Sequence, residues 1–164
     1  MKIEQFQAFQ ADAVSEIIRR NLTEVNSRDY PEEFIHSLFE YFAPETILKN
    51  AQWQCILVAI QDGEVVGTAG LANFGSEESP SYYAVAVNVL PELHGQGIGA
   101  RLMEAVESKA WDLEAEKLTV RASITAKGFY QKLGYQFRDG EVLNDHQEYM
   151  MEKKYEDLEH LSGD

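Results

Sequence analysis

The chain has 164 residues, 45% of them hydrophobic, and a formal net charge of −14. This length and apolar content support one globular domain over residues 1–155, followed by an acidic tail at 156–164 that is expected to fray. The charge excludes a nucleic-acid binder, which neutralises phosphates along a basic face, and favours either a cationic partner or plain solubility.

No apolar leader opens the chain and no run is long enough to span a bilayer, so a soluble cytoplasmic protein without membrane attachment is expected. Its single cysteine, Cys55, has no internal partner for a disulfide. Ile3, Phe6 and Phe9 suggest a short first strand. Asp12 then caps an amphipathic helix through Val14, Ile17, Ile18, Leu22 and Val25, which Asn26-Ser27-Arg28-Asp29 breaks. Pro31 opens a second helix containing Phe34, Ile35, Leu38, Phe39 and Phe42, and Pro44 restarts a third. His36 and Tyr41 are polar tips on these apolar faces, either partly buried positions or groups that touch a ligand. Trp53 to Ile60 and Glu64 to Ala72 are two strands joined at Asp62-Gly63, a strong hairpin signal. Cys55 falls in the first of them and is expected to be a buried, inert thiol. Asn73 to Pro80 is a polar loop.

The next stretch carries most of the functional information. Tyr82 to Leu90 is an almost unbroken apolar run, the composition of a central strand buried on both faces. Pro91 ends it. The segment His94-Gly95-Gln96-Gly97-Ile98-Gly99-Ala100 follows, and from Ile98 onward Leu102, Ala105, Val106, Ala110 and Leu113 recur at helical spacing. A helix that starts inside a glycine loop presents unpaired N–H donors and the positive end of its dipole, a natural seat for phosphate oxygens. Beyond it, Lys117 to Arg121 form a strand, Ala126 to Leu133 a short helix stopped by Gly134, Tyr135 to Phe137 another strand, and Gln147 to Lys153 a last one after a turn at Asp139-Gly140. No set of metal ligands stands out.

Three kinds of phosphate loop compete. A Walker loop needs Lys followed by Ser or Thr after its last glycine, and Ala100-Arg101 supplies neither. Gly95, Gly97 and Ala100 fit the dinucleotide spacing, but Pro91 to His94 separate strand from glycine and no acid ends the following strand; only Arg121, suited to a 2′-phosphate, keeps an NADP-binding fold open. The third is a resemblance. Val89-Leu90-Pro91-Glu92-Leu93-His94-Gly95-Gln96-Gly97-Ile98-Gly99 resembles the signature of the GNAT superfamily of acyl-CoA-dependent N-acetyltransferases, with His94 where that family most often has Gln or Arg. Ser123 to Tyr135, with Phe129-Tyr130-Gln131-Lys132-Leu133-Gly134, resembles the family's second block, with Ser123 where Asn is frequent.

The resemblance implies a mixed α/β fold in which two central parallel strands splay apart, with helices on both faces and the helical pair near the N-terminus walling the acceptor site. It implies acetyl-CoA as cosubstrate and a primary amine of a small molecule or protein as acceptor. The N–H of Val87 would face the thioester carbonyl, Val89 would pair with pantetheine, and residues Gly95 to Arg101 (Gly95, Gln96, Gly97, Ile98, Gly99, Ala100 and Arg101), with His94, Ser123 and Lys127, would hold the rest of the carrier. Tyr130 would protonate the departing thiolate. The base stays open among Glu92, His94, His36 and a water chain, since Tyr83 stands where some members have glutamate. A non-catalytic acyl-CoA sensor of the same fold is the alternative, and edge strands near the C-terminal end make a homodimer plausible.

Overall fold

In a computed structural model, residues 1–156 are described. The elements are β1 (Lys2–Gln5), α1 (Ala11–Glu24), α2 (Glu32–Tyr41), α3 (Pro44–Asn50), β2 (Cys55–Gln61), β3 (Glu64–Asn73), β4 (Tyr82–Val89), α4 (Ile98–Asp112), β5 (Lys117–Ala122), α5 (Lys127–Lys132), β6 (Gln136–Phe137) and β7 (Tyr149–Lys154). The tail expected from residue 156 onward lies outside the described residues apart from Glu156.

The seven strands form one sheet in the order β1-β2-β3-β4-β5-β7-β6, in which β4 and β5 are the parallel pair and the other neighbours run antiparallel. Local chemistry accounts for most of the connections. Asp62 and Gly63 take φ of 53° and 80°, the left-handed pair that a two-residue hairpin requires. Gly134, at φ 95°, closes α5: its N–H donates to Gln131 O and that of Tyr135 to Tyr130 O, which satisfies the last carbonyls of the helix.

Each face of the sheet buries its own apolar cluster. Leu102, Met103, Val106 and Ala110 of α4, with Tyr130 of α5, pack on Ala69, Leu118, Val120 and Met151. On the other face Val14, Ile18 and Leu22 of α1, Ile35 of α2 and Ile47 of α3 pack on Ile56 and Val58. Leu102 is fully enclosed, and its Cδ1 lies 2.9 Å from where a Cβ on Gly67 would sit, so helix and sheet touch without slack. Leu102→Ala is therefore expected to cost about 3–5 kcal/mol, read as a lower urea midpoint at unchanged slope.

β4 departs from regularity where the site forms. Thr68 stands opposite Asn88 and Gly70 opposite Val85, so Ala69 alone faces both Ala86 and Val87. Ala86 absorbs the extra residue at φ 50°, a left-handed conformation that costs an alanine roughly 1–2 kcal/mol. The bulge bends β4 away from its parallel neighbour. Pairing with β5 is confined to Tyr83–Thr119 and Ala84–Val120, and beyond them the two strands splay.

Several expectations need correction. The central strand is not buried on both faces: six of its eight residues are only half-buried, because the splay exposes one side to a cleft. Phe9 is 80% exposed and lies beyond β1, and Trp53, 52% exposed, precedes β2 instead of opening it. Gln10, not Asp12, occupies the N-cap of α1; its side chain accepts from the Gln7 N–H at 2.8 Å, while Asp12 sits in the first turn, where its charge still suits the dipole. Cys55 is half-buried at the start of β2.

Candidate active site

The splay opens a cleft of about 940 Å³ that passes between β4 and β5. Residues 84–89 of β4 form its back, the α4 start and α5 line one end, and α2 with Trp53 and Phe74 line the other. The sequence alternation of β4 explains which backbone groups face it. Leu90 N–H bonds Val66 O on β3 at 2.9 Å, so Val89, one residue before, presents its amide and carbonyl to the splayed side.

The Val89 carbonyl is already used. It accepts Asn21 Nδ2 at 2.8 Å and His94 Nε2 at 2.9 Å, which fixes the histidine as the tautomer protonated on Nε2. That leaves the Val89 N–H as the group still open on this side of the strand, and it assigns His94 a role in anchoring the loop to β4. Its ring reaches no phosphate seat through that nitrogen. Asn21, buried in α1, ties helix, strand and loop together through one amide, and no motif in the sequence pointed to it.

At the mouth, Gly95 and Gly97 take φ of 81° and 85° with open space where a Cβ would project, so their backbone conformation demands glycine there. Gly99 differs: a Cβ would lie 3.1 Å from the Phe129 ring, so the third glycine is set by contact between the two sequence blocks. Gly97 caps α4, and its carbonyl accepts the first helical bond from the Arg101 N–H at 3.1 Å. The donors of Ile98, Gly99 and Ala100 thus precede the helical ladder, whereas Arg101 has spent its N–H and points an exposed side chain elsewhere. Gln96 and Arg101 do not line the cleft; Gly95, Gly97, Ile98, Gly99 and Ala100 do.

From α5, Tyr130 reaches the cleft while only 7% exposed. Its ring stacks edge-on with Phe129 and Tyr135 at 5.0 and 5.7 Å, and burial pushes its phenol above the ordinary range. Among the described residues its hydroxyl has no hydrogen-bond partner, yet no sealed side-chain polar atom is left unpaired, so the oxygen opens on the cleft. Ser123 lines the cleft and its Oγ accepts the Ala126 N–H at 3.2 Å, steadying the turn before α5. Lys127 turns away: its ammonium pairs with Glu141, which raises its pKa, and Lys132, part of the second block but not among the expected site residues, lines the cleft instead.

The other end combines aromatic walls with two charges. Tyr30, Phe34, Tyr41, Trp53 and Phe74 line it together with Arg121 and Glu148. Tyr41 is present and His36 is not. Glu92 is held by Arg20 at 2.8 and 3.1 Å, which lowers its pKa and makes it a poor proton acceptor. Glu148 is the opposite case: burial raises its pKa, with Arg121, His146 and Asn144 opposing. Only its place in the folded chain marks it, since in sequence it is one acid among 28 Asp and Glu. Among the described residues no group of His, Cys, Asp and Glu is placed to hold a metal, and no helix is long and apolar enough to cross a membrane.

A mixed sheet opened between its two parallel strands, with a helix start that carries no side-chain cap at one mouth, defines the acyl-CoA N-acyltransferase class of fold. The chain belongs to the acetyltransferase (GNAT) domain family, which matches residues 10–154. Among solved structures it is similar to PaiA N-acetyltransferase from Thermoplasma acidophilum in complex with coenzyme A, at 21% identity and TM-score 0.79 over 94% of this chain and 100% of that one. A GCN5-related N-acetyltransferase from Rhodopseudomonas palustris matches at 22% identity and TM-score 0.76, over 93% and 94% of the two chains. A GNAT family acetyltransferase from Brucella melitensis in complex with acetyl-CoA matches at 17% identity and TM-score 0.65, over 94% and 87%. At these identities the likeness is one of fold. No curated protein matches the chain.

Proposed function

We propose that the protein transfers the acetyl group of acetyl-CoA to a primary amine. The observation that carries this reading is that the open edge of β4, the unspent donors at the start of α4 and the Tyr130 hydroxyl all meet in one cleft. The family of the chain and the coenzyme A complexes of its structural neighbours support it.

In this reading the N–H groups of Ile98, Gly99 and Ala100 receive pyrophosphate oxygens at the positive end of α4, with Gly95 and Gly97 shaping the turn. The amide arm of the carrier runs along the splayed edge of β4 and pairs with the Val89 N–H as a further strand would. With the bulge at Ala86 parting the strands, the Val87 N–H would face the gap and stabilise negative charge on the thioester oxygen. The acceptor arrives mostly as an ammonium, since an alkylamine has a pKa of roughly 10.4, and has to lose a proton first. Its nitrogen lone pair then forms the C–N bond to the acetyl carbon, the C–S bond breaks, and sulfur leaves with the electron pair. Tyr130, whose side chain lines the same cleft, would meet that departing sulfur. Because burial raises its phenol well above a thiol of roughly 8.5, it acts first as a hydrogen-bond donor to the developing thiolate and completes proton transfer late.

Two measurements test the reading. Acetyl-CoA at about 100 times its Kd is expected to add roughly 2.7 kcal/mol of stability, seen as a rise in melting temperature, and NADPH none. An amine panel with acetyl-CoA is expected to release free thiol. A rise with NADPH alone overturns the reading in favour of a dinucleotide fold, and a rise with acetyl-CoA without thiol release from any amine leaves a sensor domain.

A further inference from the structure

The two ends of the cleft differ in chemistry, and the acceptor end carries a signature of its own. Alternation along β5 buries Val120 and Ala122 beneath α4 and Tyr130, and so turns Arg121 to the opposite face of the sheet, toward α2. There its guanidinium carbon lies 4.9 Å from the centres of both the Phe74 and the Tyr83 rings. Phe74 is itself braced edge-on by Trp53 at 5.6 Å. A planar cation packed on two aromatic rings is held in position without spending its N–H donors, which remain for a ligand.

What sets this arginine apart is its place, since it lines the cleft with its guanidinium packed on aromatic rings. Arg20, Lys127, Arg138 and Lys153 each hold a carboxylate, but among the described residues no carboxylate oxygen lies within 4.0 Å of Arg121. Glu148 faces it from the turn before β7, close enough for their charges to act on each other through space but outside ion-pair contact. Arg121 stands opposite Met150 in the β5–β7 ladder, so Glu148, two residues before Met150, lies diagonally beside it: the cavity offers a guanidinium next to a half-buried carboxylate, with Tyr30, Phe34 and Trp53 among its other lining residues. A polycation would find Glu148 but would also meet the like charge of Arg121 beside it. An amine bearing its own carboxylate a few bonds away, as an amino acid does, would satisfy both neighbouring charges at once, and the aromatic sides suit its apolar side chain.

We infer that the acceptor is an amine that also carries a carboxylate, gripped by Arg121 through that carboxylate and presented by its nitrogen to Glu148. Arg121 binds in the two-pronged geometry that a guanidinium and a carboxylate share. Glu148 takes one proton from the ammonium and becomes a neutral acid, the freed lone pair forms the C–N bond to the acetyl carbon as the C–S bond breaks, Tyr130 gives its proton to the departing thiolate, and the second proton that the nitrogen sheds on becoming an amide restores the phenol through water. This rests on the acetyl-transfer reading above.

The test compares initial rates of thiol release from acetyl-CoA over a panel of amino acids, each paired with its own amide, together with spermidine and an aminoglycoside. For the best amino acid, kcat/KM is expected to exceed that of its amide by about 10- to 100-fold, the worth of a charge-assisted pair. Arg121→Gln is expected to bring that ratio close to one, and Arg121→Lys to restore part of it; far-UV circular dichroism and melting temperature verify that both variants fold. Amides accepted as well as acids, a polyamine or aminoglycoside preferred over every amino acid, or no carboxylated amine accepted at all would each overturn the inference, as would a ratio untouched in Arg121→Gln. The underlying reading fails separately: a protein whose stability acetyl-CoA does not change sinks acetyl transfer, whereas one that binds acetyl-CoA and acetylates only uncharged or polycationic amines sinks the carboxylate assignment alone.

Discussion

Gly97→Glu is expected to abolish measurable acetyl-CoA affinity while the protein still folds. The position tolerates space but not geometry: a Cβ there meets nothing within 4 Å, yet φ is 85°. Left-handed strain on an L-residue costs roughly 1–2 kcal/mol, a loss that a domain with about 5–15 kcal/mol of stability survives. The glutamate adds bulk and a negative charge at the capping residue of α4, where pyrophosphate oxygens would approach the donors of Ile98, Gly99 and Ala100. Like charges forced together cost several kcal/mol, so the dissociation constant should rise at least ~10²-fold. Gly97→Ala is the control, since it carries the same backbone strain without charge or reach. Calorimetric titration of both variants decides: equal losses in the two would trace the effect to strain, and ordinary affinity in Gly97→Glu would remove the loop from the site.

Tyr130→Phe is expected to lower kcat about 10²-fold at neutral pH with little change in acetyl-CoA affinity, because it removes a donor aimed at charge that exists only as the C–S bond breaks. The sign of its pH dependence follows from burial. A phenol pushed above its ordinary value keeps its proton across the whole working range, so the wild-type enzyme shows no alkaline loss from Tyr130 below roughly pH 10. The variant has to release an unassisted thiolate, which becomes easier as pH passes the thiol's own value of roughly 8.5, and the gap between the two proteins is expected to narrow there. Stopped-flow thiol release from pH 6.5 to 9.5 measures it. A gap that stays constant, or no gap at any pH, would mean the phenol does not meet the leaving group. The Schellman turn at Gly134 and the contact of Tyr135 with Tyr130 hold the ring in place, so loss of packing is small.

The hairpin at Asp62-Gly63, the helix from Ile98 and the stop at Gly134 were legible because each depends on a conformation that only neighbouring residues dictate. The two sequence blocks also announced their partnership, and Gly99 against Phe129 is the contact through which they meet. Other local readings failed where long-range packing outweighed propensity. Phe9 and Trp53 looked like strand residues, but the sheet has no place for them and they remain largely exposed. Asp12 has the chemistry of a cap, yet Gln10 lies one turn position earlier and bonds back to Gln7.

Residue order alone settled the mixed α/β class, the glycine-shaped helix start and the candidacy of Tyr130, since periodicity, turn preference and motif spacing are properties of a short stretch of chain. The tertiary structure decided how the site is equipped: that His94 and Asn21 share the Val89 carbonyl, that Arg101 and Lys127 are spent elsewhere, and that Arg121 and Glu148 lie beside one another in the cleft. In these relations Asn21 and Val89 are 68 positions apart, Arg121 and Glu148 27, and Lys127 and Glu141 14, while His94 and Arg101 act over five and four. They come into being only when the bulge at Ala86 parts β4 from β5, and no local pattern of residues encodes the gap that results.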